Sequence, residues 1–409
     1  MDDEDRGRLL AFPQAPEAIE MRHLRSFVAV AEDLNFGRAA ARLYLSQPAL
    51  SRQISALEKL VGCELLRRST HRVELTLAGE ALLERARRLL DDLDEAITVT
   101  QSVGDELATR LAMLWKPMLD ASTGGGGLEG LRGAYEGLHA QFSPPPEVQV
   151  RPVNAGGVPS LRVGADLDEP PTMVYFHGGG YMLGSAFGYR PLAGALAHAS
   201  GTQALVPDYR LAPEHTFPAA LDDARRAYDW TREQGTDPER IVLCGDSSGA
   251  HLVLSLLLSL KAEGAPLPGA AVLFCPGFDL TGASMEAACP PGHELDRMVI
   301  ELRRATDIYL GGHPADDPIV SPLHADLSGL PPLLVQAATG DYALAEAHAL
   351  VDRAREHGVD ARIELFPVTT HVFQIFWSFL PEAADALHQA GRFAAEAVAA
   401  DAGRGSAAG

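Results

Sequence analysis

The segment RIVLCGDSSGAHLVLSLLLSL, residues 240–260, joins two structural patterns through a short turn of small residues. Its first part is an apolar run that predicts a buried strand, and its last part predicts a buried helix. Between them lies a Gly-x-Ser-x-Gly sequence centred on Ser247, with Gly245 and Gly249 on either side. This motif is weak alone, but between a strand and a helix it indicates a sharply turned serine whose hydroxyl is exposed at the sheet edge. Ser247 is therefore a candidate nucleophile.

Apolar strands alternate with helices over most of the chain after residue 140. The strand segments are VQVRPVN, PTMVYFHGG, QALVPDYR, RIVLCGDS, AAVLFCP, PLLVQAAT and ARIELFPV, and the helices between them include residues 190–200, 218–234, 248–263 and 343–357. Strands that are apolar along their whole length are typical of a largely parallel sheet covered by helices on both faces.

A glycine-rich loop, FHGGGYMLGS at residues 176–185, follows another of these strands. Consecutive glycines can turn backbone N–H groups toward an oxygen that becomes negatively charged during a reaction. Such loops also bind phosphates. That alternative is less favoured here, because no Lys-Ser/Thr pair follows and the Gly-x-Gly-x-x-Gly spacing is absent.

Two further candidates follow in the order acid, then histidine. Asp341 lies in ATGDYALAE at the end of one strand, and His371 lies in FPVTTHVFQIF after the next strand. Either residue alone would more often be a surface or packing residue. Because Ser247, Asp341 and His371 each follow a strand and occur in this order, they predict a catalytic triad.

The segment ARLYLSQPALSRQISALEKLVG, residues 41–62, predicts something unrelated to that chemistry. As a helix it places Leu50, Ile54, Leu57 and Val61 on one face, with Ser46 as its N-cap. A shorter amphipathic helix precedes it, with Asn35 as a possible cap. Two helices joined by a short turn predict a helix-turn-helix.

A wing and a long helix are predicted next. HRVELT at residues 71–76 alternates like a small β-wing, and a long helix begins near Ala78. Apolar residues, with one Thr, recur in it with 4-3 spacing at positions 82, 86, 89, 93, 96, 100 and 103. This is a coiled-coil seam and predicts a helix pair, although one side of a helical bundle would give the same pattern. Gly104 is the only obvious break in it.

Length and charge support two domains. A chain of 409 residues is too long for one ordinary domain, and its formal net charge of −21 argues against nucleic-acid binding by the whole chain. Residues 21–80, however, carry nine Arg or Lys against six Asp or Glu. Only this region is electrostatically suited to DNA.

Composition also gives expectations about location. The four cysteines form no Cys-x-x-Cys pair, which predicts reduced, buried thiols and a cytoplasmic protein. The acidic N-terminus has no signal-peptide pattern, and no apolar run is long enough to cross a membrane, so we expect no membrane association. No His-x-His or His-Glu-x-x-His spacing is present, so neither a metal nor another cofactor is expected.

Residues 21–104 resemble the DNA-binding domain and linker helix of LysR-type transcriptional regulators. The matching segments are LRSFVAVAEDLNFGRAAARLYLSQPALSRQISALEKLVGCELLRR and VELTLAGE. The resemblance implies a homodimer paired through the linker helix and double-stranded DNA as a partner. It also implies DNA contacts by Gln47, Ser51, Arg52, Arg68 and Arg72.

Residues 106–398 resemble the hormone-sensitive-lipase-like, or HGGG, family of bacterial α/β-hydrolase esterases. The matching segments are HGGGYMLGS, PDYRLAPEHTFPAALDDARRAYDW, GDSSGA and PVTTHVFQ. This chain differs in having Ser248 and Ala250 where the family usually has Ala and Gly. It also has Ala345-Glu346 where an acidic pair is common, which weakens the assignment of Asp341.

The second resemblance implies a role for each site residue. Ser247 would attack the ester carbonyl, His371 would act as base and then acid, and Asp341 would orient the imidazole. The N–H groups of Gly179, Gly180 and Ser248 would bind the oxyanion. His177 and Gly178 would support the loop, and helices in residues 106–140 would cap the acyl pocket.

The sequence thus predicts a multidomain fusion of an all-α winged helix-turn-helix with a linker helix to an α/β-hydrolase fold. The expected boundaries are 1–20 for a disordered extension, 21–80 for the DNA-binding domain, 81–105 for the linker, 106–400 for the hydrolase and 401–409 for a disordered tail. Three hypotheses remain open: an esterase that hydrolyses small esters or lactones and also regulates transcription, a regulator whose hydrolase fold only senses a ligand, and an esterase that the N-terminal domain merely dimerises.

Overall fold

Two units divide the chain in the computed structural model, Met1–Thr109 and Arg110–Gly409. The structure describes residues 19–68, 72–123, 126–277, 279–282 and 296–399. The expected extension 1–20 lies outside this part of the chain except for its last two residues, and the expected tail 401–409 lies wholly outside it. Each unit has an apolar core of its own.

The first unit consists of helices and a two-stranded wing. Its elements are α1 (Met21–Asp33), α2 (Phe36–Arg42), α3 (Gln47–Val61), β1 (Leu66–Arg68), β2 (Val73–Leu75) and the start of α4 (Leu77–Thr123). The side chain of Asn35 accepts a hydrogen bond from the Arg38 N–H at 2.9 Å, and Ser46 accepts one from the Ala49 N–H at 3.3 Å. Both predicted caps therefore form, and the helix-turn-helix with its antiparallel wing is confirmed.

The core of the first unit lies beneath α3. Leu50, Ile54 and Leu57 have no exposed surface and pack with residues of α1, α2 and the first turns of α4. Val61, predicted for the same face, is 39% exposed. It is the last residue of α3, because Gly62 follows in a left-handed conformation with φ of +78° and ends the helix.

Helix α4 continues through the predicted break. It runs unbroken over 47 residues and includes Gly104, so the expected interruption there is wrong. A single glycine costs a helix only about 1 kcal/mol, which the flanking helical residues can outweigh. Among the seam positions, Ala86 is buried and Leu89 is 54% exposed. The side chains at positions 96, 100 and 103 lie outside the described part of the chain.

The second unit contains the predicted sheet. After α4 its helices are α5 (Gly127–His139), α6 (Ala186–Ser200), α7 (Ala219–Glu233), α8 (Ser248–Glu263), α9 (Asp296–Leu310), α10 (Leu344–Glu356) and α11 (Pro381–Ala399). Its strands are β3 (Gln149–Ala155), β4 (Val158–Gly164), β5 (Met173–Phe176), β6 (Ala204–Pro207), β7 (Val242–Asp246), β8 (Ala270–Phe274), β9 (Leu333–Ala338) and β10 (Ala361–Phe366). The sequence patterns did not identify β4, α9 or α11.

These strands form one sheet in the order β10-β9-β8-β7-β5-β6-β4-β3. Strands β10 to β6 are parallel, whereas β4 and β3 are antiparallel. Every residue of β5, β7, β8 and β9 is buried, as expected for a sheet covered on both faces. The mostly parallel α/β fold is therefore confirmed, and the carboxyl ends of β5, β7, β9 and β10 lead into the loops that carry the candidate residues.

Arg132 holds helix α5 against the rest of the second unit. Its guanidinium donates to both carboxylate oxygens of Glu214, at 2.6 and 2.8 Å, and to the carbonyls of Met182 and Ala212. A bidentate ion pair of this kind fixes orientation as well as distance. Nearby, the Tyr135 and Tyr189 hydroxyls are 2.6 Å apart. Polar contacts thus fix α5 against the loop that contains the three glycines.

The predictions from composition are met only in part. Cys244 and Cys275 are buried, but Cys63 is exposed, because it lies in the surface segment just after α3. The prediction of a buried thiol is therefore wrong for Cys63, and Cys289 lies outside the described residues. In the part of the chain that the structure describes, no helix is both long enough and apolar enough to cross a bilayer.

Candidate active site and DNA-binding surface

Ser247 occupies a sharp turn between β7 and α8. Its φ of 49° and ψ of −121° lie outside the regions that residues other than glycine usually adopt, and its N–H donates to the Phe274 carbonyl at 2.9 Å. Gly249 passes so close to β5 that a Cβ on it would lie 2.1 Å from the Phe176 carbonyl oxygen. Gly245 in turn faces the backbone of Gly249. The small residues around the serine are thus required by backbone packing.

Ser247, His371 and Asp341 form a continuous chain of hydrogen bonds. The Nε2 atom of His371 lies 2.9 Å from the Ser247 Oγ, and its Nδ1 lies 2.8 and 3.0 Å from the two carboxylate oxygens of Asp341. Burial alone would raise the pKa of Asp341, but the charge and hydrogen bond of His371 outweigh it and hold the pKa below its usual value. Asp341 is therefore suited to remain ionised beside the imidazole.

Cys275 lies beside this chain. The Cys275 Sγ, an Asp341 oxygen and a His371 nitrogen all lie within 4.8 Å of one another, which is close enough for three ligands of a metal ion. The hydrogen bonds of the group argue against that role, because the Asp341 carboxylate already accepts from the His371 Nδ1. Both histidine nitrogens also already have hydrogen-bond partners.

The glycine-rich loop presents backbone N–H groups beside Ser247. Gly179 has a φ of +113°, and a Cβ on it would lie 2.3 Å from the Leu183 carbonyl oxygen, so only glycine fits. Gly180 is also left-handed. Among the described residues, no protein acceptor takes a hydrogen bond from the N–H groups of Gly179, Gly180 or Ser248. These three donors are available to a bound oxyanion.

His177 lies behind the loop and is fully buried. Its Nδ1 is 2.8 Å from the Gly178 carbonyl oxygen, its own carbonyl accepts from the Tyr209 hydroxyl at 2.6 Å, and its ring stacks on that of Tyr209. Burial lowers the pKa of His177, so the ring stays neutral. These contacts fit a supporting position rather than one in proton transfer.

Sequence reasoning did not identify Asp246 as a functional residue. Its carboxylate is fully buried and accepts hydrogen bonds from the hydroxyls of Tyr175 and Tyr189 and from the Gly178 N–H, at 2.8, 2.9 and 3.0 Å. Burial raises the pKa of Asp246 to about 6, although the three hydrogen bonds favour the charged form. Asp246, the residue that directly precedes Ser247, thus ties the glycine-rich loop to the turn that contains the serine.

Two aromatic residues near His371 were also missed. The Tyr342 hydroxyl lies 3.2 Å from the His371 Nε2, and the Trp115 Nε1 donates to the Thr370 hydroxyl at 2.9 Å. Neither residue belongs to a recognisable motif, and both contacts join distant parts of the sequence. A local pattern could therefore not have revealed them.

The candidate DNA contacts lie on α3 and the wing. Gln47 and Arg52 are exposed, Ser51 lies between them on the same side of the helix, and Arg72 is exposed with a 3.0 Å ion pair to Glu74. Arg68 belongs to β1, but its side chain lies outside the described part of the chain. Tyr44, in the turn before α3, is 97% exposed and was not predicted to take part.

The sequence matches two known families in different regions. Residues 173–375 match the α/β hydrolase fold family, and residues 21–80 match bacterial regulatory helix-turn-helix proteins of the lysR family. Over 279 residues the chain is 37% identical to an acetyl-hydrolase of Streptomyces hygroscopicus, a match that covers 67% of this chain and 92% of the relative. It is 34% identical over 265 residues to an esterase of Acinetobacter venetianus, covering 64% and 88% respectively.

Solved structures agree with these matches. A crystal structure of an esterase from the bacterial hormone-sensitive lipase family is 35% identical, with a TM-score of 0.63, and the match covers 70% of this chain and 96% of that one. The structure of EstE5 soaked with p-nitrophenyl butyrate is 34% identical, with a TM-score of 0.62 and coverage of 66% and 92%. The chain therefore belongs to the hormone-sensitive-lipase-like esterases of the α/β hydrolase family, and it carries a LysR-family helix-turn-helix domain fused before the esterase.

Proposed function

We propose that this chain is a serine carboxylesterase in which Ser247, His371 and Asp341 form the catalytic triad. The observation that carries the proposal is the unbroken chain of short contacts from Oγ to Nε2, at 2.9 Å, and from Nδ1 to the Asp341 carboxylate, at 2.8 Å. The sharp turn at Ser247, whose side chain is half-buried, and the three N–H groups beside it support the same role. The substrates are small carboxylic esters or lactones.

Acylation begins when the Ser247 Oγ attacks the ester carbonyl carbon and its proton passes to the His371 Nε2. The carbonyl oxygen becomes an oxyanion that accepts hydrogen bonds from the N–H groups of Gly179, Gly180 and Ser248. Asp341 accepts from Nδ1–H, which keeps the imidazole in the required tautomer and stabilises its charged form. The bond to the alcohol oxygen then breaks, and Nε2–H protonates the departing alkoxide.

Deacylation repeats these steps with water. Nε2 takes a proton from a water molecule, the hydroxide formed attacks the acyl carbon, and the same three N–H groups stabilise the second oxyanion. When the bond to Oγ breaks, Nε2–H returns a proton to Ser247. The carboxylic acid leaves, and the triad is restored.

The experiment is an assay of the purified full chain with p-nitrophenyl acetate and p-nitrophenyl butyrate, with and without a chelator. We expect turnover that the chelator does not change. Diethyl p-nitrophenyl phosphate should phosphorylate the Ser247 Oγ with release of p-nitrophenolate, seen by mass spectrometry as a diethylphosphoryl group on the peptide containing Ser247. Labelling elsewhere together with retained activity would contradict the proposed nucleophile.

We also propose that the N-terminal unit binds double-stranded DNA with sequence preference and regulates transcription. The supporting observation is the exposed face of α3, where Gln47 and Arg52 are free of the core with Ser51 between them, together with the exposed Arg72 of the wing. In this arrangement the second helix of the motif enters the major groove, and wing arginines contact phosphates or the minor groove. Selection of bound duplexes from a random pool by the full chain tests this role.

The DNA-binding form is proposed to be a homodimer paired through α4. Leu89, a seam residue, is 54% exposed in the single chain. We expect Leu89→Glu to shift the full chain from dimer to monomer in sedimentation analysis. Met113→Glu, at an apolar site on α4 that is 69% exposed and lies outside the seam spacing, should leave the dimer intact.

A regulator that only senses its ligand is the second candidate. The exposed recognition face of α3 favours it as much as it favours the first proposal, and the complete hydrogen-bond chain at Ser247 is what argues for turnover. Binding of an ester without measurable hydrolysis would establish sensing alone. An active esterase that selects no duplex would leave dimerisation as the role of the N-terminal unit.

A further inference from the structure

The buried carboxylate of Asp246 holds the glycine-rich loop at both of its ends. At the start of the loop, the Gly178 N–H donates to the Asp246 Oδ1 at 3.0 Å. Just beyond its other end, in the first turn of α6, the Tyr189 hydroxyl donates to the Asp246 Oδ2 at 2.9 Å. Between these two points lie Gly179 and Gly180, whose N–H groups are proposed to bind the oxyanion. The position of those donors therefore depends on both bonds to Asp246.

The two oxygens of this carboxylate differ in their donors. Oδ1 accepts from the Tyr175 hydroxyl at 2.8 Å as well as from the Gly178 N–H. Within the described part of the chain, Oδ2 accepts from Tyr189 alone. A Cβ at position 178 would lie 2.2 Å from Oδ2, so only glycine lets the loop approach the carboxylate this closely. Because Asp246 is fully buried, bulk water cannot replace a donor that is lost.

Tyr135 of α5 extends this arrangement by one hydroxyl. Its oxygen lies 2.6 Å from the Tyr189 oxygen, so one of the two must donate to the other. An ionised carboxylate only accepts hydrogen bonds, and each hydroxyl has one proton. The Tyr189 proton is used toward Asp246, and Tyr135 is therefore the donor to Tyr189. Donation runs from Tyr135 through Tyr189 to Asp246, and each bond in such a chain strengthens the next.

The surroundings of Tyr189 leave its hydroxyl little choice of partner. The residue is fully buried, and the rings of His139 and His177 pack against its ring with centroids 4.2 and 5.4 Å away. Burial lowers the pKa of both imidazoles, so both stay neutral and neither offsets the charge of Asp246. The carboxylate therefore depends on its O–H and N–H donors.

We propose that Tyr189 and Tyr135 are positioning residues for the oxyanion donors of the glycine-rich loop. This inference rests on the esterase function proposed above. Neither hydroxyl has to touch the substrate, because Tyr189 fixes Asp246 and Tyr135 fixes the direction of the Tyr189 hydroxyl. Their effect belongs to the step in which the oxyanion forms. Displaced donors stabilise the transition state less but still admit the substrate.

Tyr135 also links helix α5 to this step. It lines a cavity of about 540 Å³ that Gly179, Ser247 and His371 line as well. Its hydroxyl nevertheless bonds to Tyr189 in the buried layer behind the loop. Movement of α5 away from the sheet would leave Tyr189 without its donor. The docking of α5 and the shape of the oxyanion site are therefore connected.

Phenylalanine substitutions remove each hydroxyl and keep each ring. With p-nitrophenyl acetate and the full chain, we expect Tyr189→Phe to lower kcat by roughly 10- to 100-fold, less than direct loss of an oxyanion donor, with KM little changed. Tyr135→Phe should lower kcat by about three- to tenfold, as for loss of one ordinary hydrogen bond. Tyr228→Phe is the matched control and should leave kcat unchanged, because this buried tyrosine donates to the Pro266 carbonyl at 2.8 Å.

Trifluoroacetone separates positioning from a general loss of structure. The Ser247 Oγ adds to its carbonyl carbon, the proton of Ser247 passes to the His371 Nε2, and the carbonyl oxygen becomes an alkoxide held by the same N–H groups. Its inhibition constant should therefore rise in each variant by the factor by which kcat/KM falls. The final extent of labelling by diethyl p-nitrophenyl phosphate counts folded active sites and should stay complete.

The double variant gives the sharpest test. Because Tyr135 acts only through Tyr189, combining the two substitutions should lower kcat no further than Tyr189→Phe alone. Losses that multiply, or that leave inhibition by trifluoroacetone unchanged, would overturn the inference and leave the triad proposal intact. If Tyr189→Phe does not fold, Tyr135→Phe alone decides, since it keeps all three donors to Asp246. Inactivity of the unmodified chain would contradict the proposed esterase function and this inference with it.

Discussion

The proposed catalytic centre and the proposed DNA-facing side of α3 differ in what holds their side chains in place. Ser247, His371 and Asp341 are joined by hydrogen bonds within the protein, around a buried carboxylate. Gln47 and Arg52 project from the surface. An enzyme has to fix its reacting groups before the substrate arrives, whereas a DNA-binding helix gains much of its order from the groove and phosphates. Internal geometry is therefore informative for the first site, and the second is best judged with DNA bound.

The largest expected effect comes from removing the nucleophile. Ser247→Ala should lower kcat for p-nitrophenyl acetate by roughly 10⁴- to 10⁶-fold, because loss of a triad nucleophile leaves only oxyanion stabilisation and binding. Ser259→Ala, at a half-buried site on the same helix α8, is the control for the substitution itself. If Ser247→Ala also abolished DNA binding in a gel-shift titration, the contrast between the two regions would fail.

A second prediction concerns the buried carboxylate of Asp246. Because burial raises its pKa in the native state to about 6, the native state holds a proton between about pH 4 and pH 6 that the unfolded state releases. The contribution of this group to stability therefore falls as pH rises through that window, by up to about 3 kcal/mol.

Asp246→Asn removes this titration. As pH rises from 4 to 6, the stability of the variant relative to the unmodified chain should therefore increase. Stability is measured as the urea concentration at which half of the activity is lost, with all samples assayed afterwards at one pH. Asp222→Asn, at an exposed position on α7, is the matched control. An identical pH dependence in the Asp246 variant and the unmodified chain would contradict the role given to burial.

The DNA-facing surface should respond in two distinguishable ways. Arg52→Ala should cost about 1–3 kcal/mol on the preferred duplex and relax sequence preference, whereas Arg72→Ala should weaken binding to all duplexes alike and reduce the salt dependence. Filter-binding assays of the full chain with each duplex at several salt concentrations measure both effects. A uniform loss with Arg52→Ala would show that this residue contacts phosphates rather than bases.

The smallest effect is expected from loss of the hydrogen bond between Trp115 and Thr370. Trp115→Phe keeps an aromatic ring but removes the donor to the residue beside His371, and kcat/KM should fall about two- to fivefold, as for loss of one ordinary hydrogen bond. Thr370→Val removes the acceptor. If the double variant loses no more kcat/KM than either single variant, the hydrogen bond itself is responsible for the loss. Additive losses would point to packing instead.

Local sequence patterns were sufficient for much of the fold. The caps at Asn35 and Ser46 and the strands β5, β7, β8, β9 and β10 follow from interactions between near neighbours or from runs of buried residues. Strand β4 was missed because alternating residues at an antiparallel position lack that continuous apolar signal. The helix break at Gly104 was wrong because one glycine is a weak signal against a long run of helix-forming neighbours.

The candidate site could be predicted only where a motif carries it. Ser247 and the glycine-rich loop lie in short motifs, and His371 follows a recognisable strand. The environment of Asp246 depends on Tyr175 and Tyr189, which lie 71 and 57 residues away, so no local pattern reveals it. The cavities that Ser247 lines likewise arise from side chains far apart in the sequence, and their volumes depend on how those side chains pack.

The position of Trp115 has an optical consequence. The chain contains three tryptophans, and the Trp115 indole lines a cavity of about 540 Å³ that Ser247 and His371 also line. Its N–H donates to Thr370, one residue before His371. A ligand entering or leaving that cavity changes the polarity around the ring, and indole emission shifts in wavelength with polarity. Rapid-mixing measurements of this emission would therefore time ligand entry and departure from inside the protein, without an added dye and with natural, colourless esters as ligands.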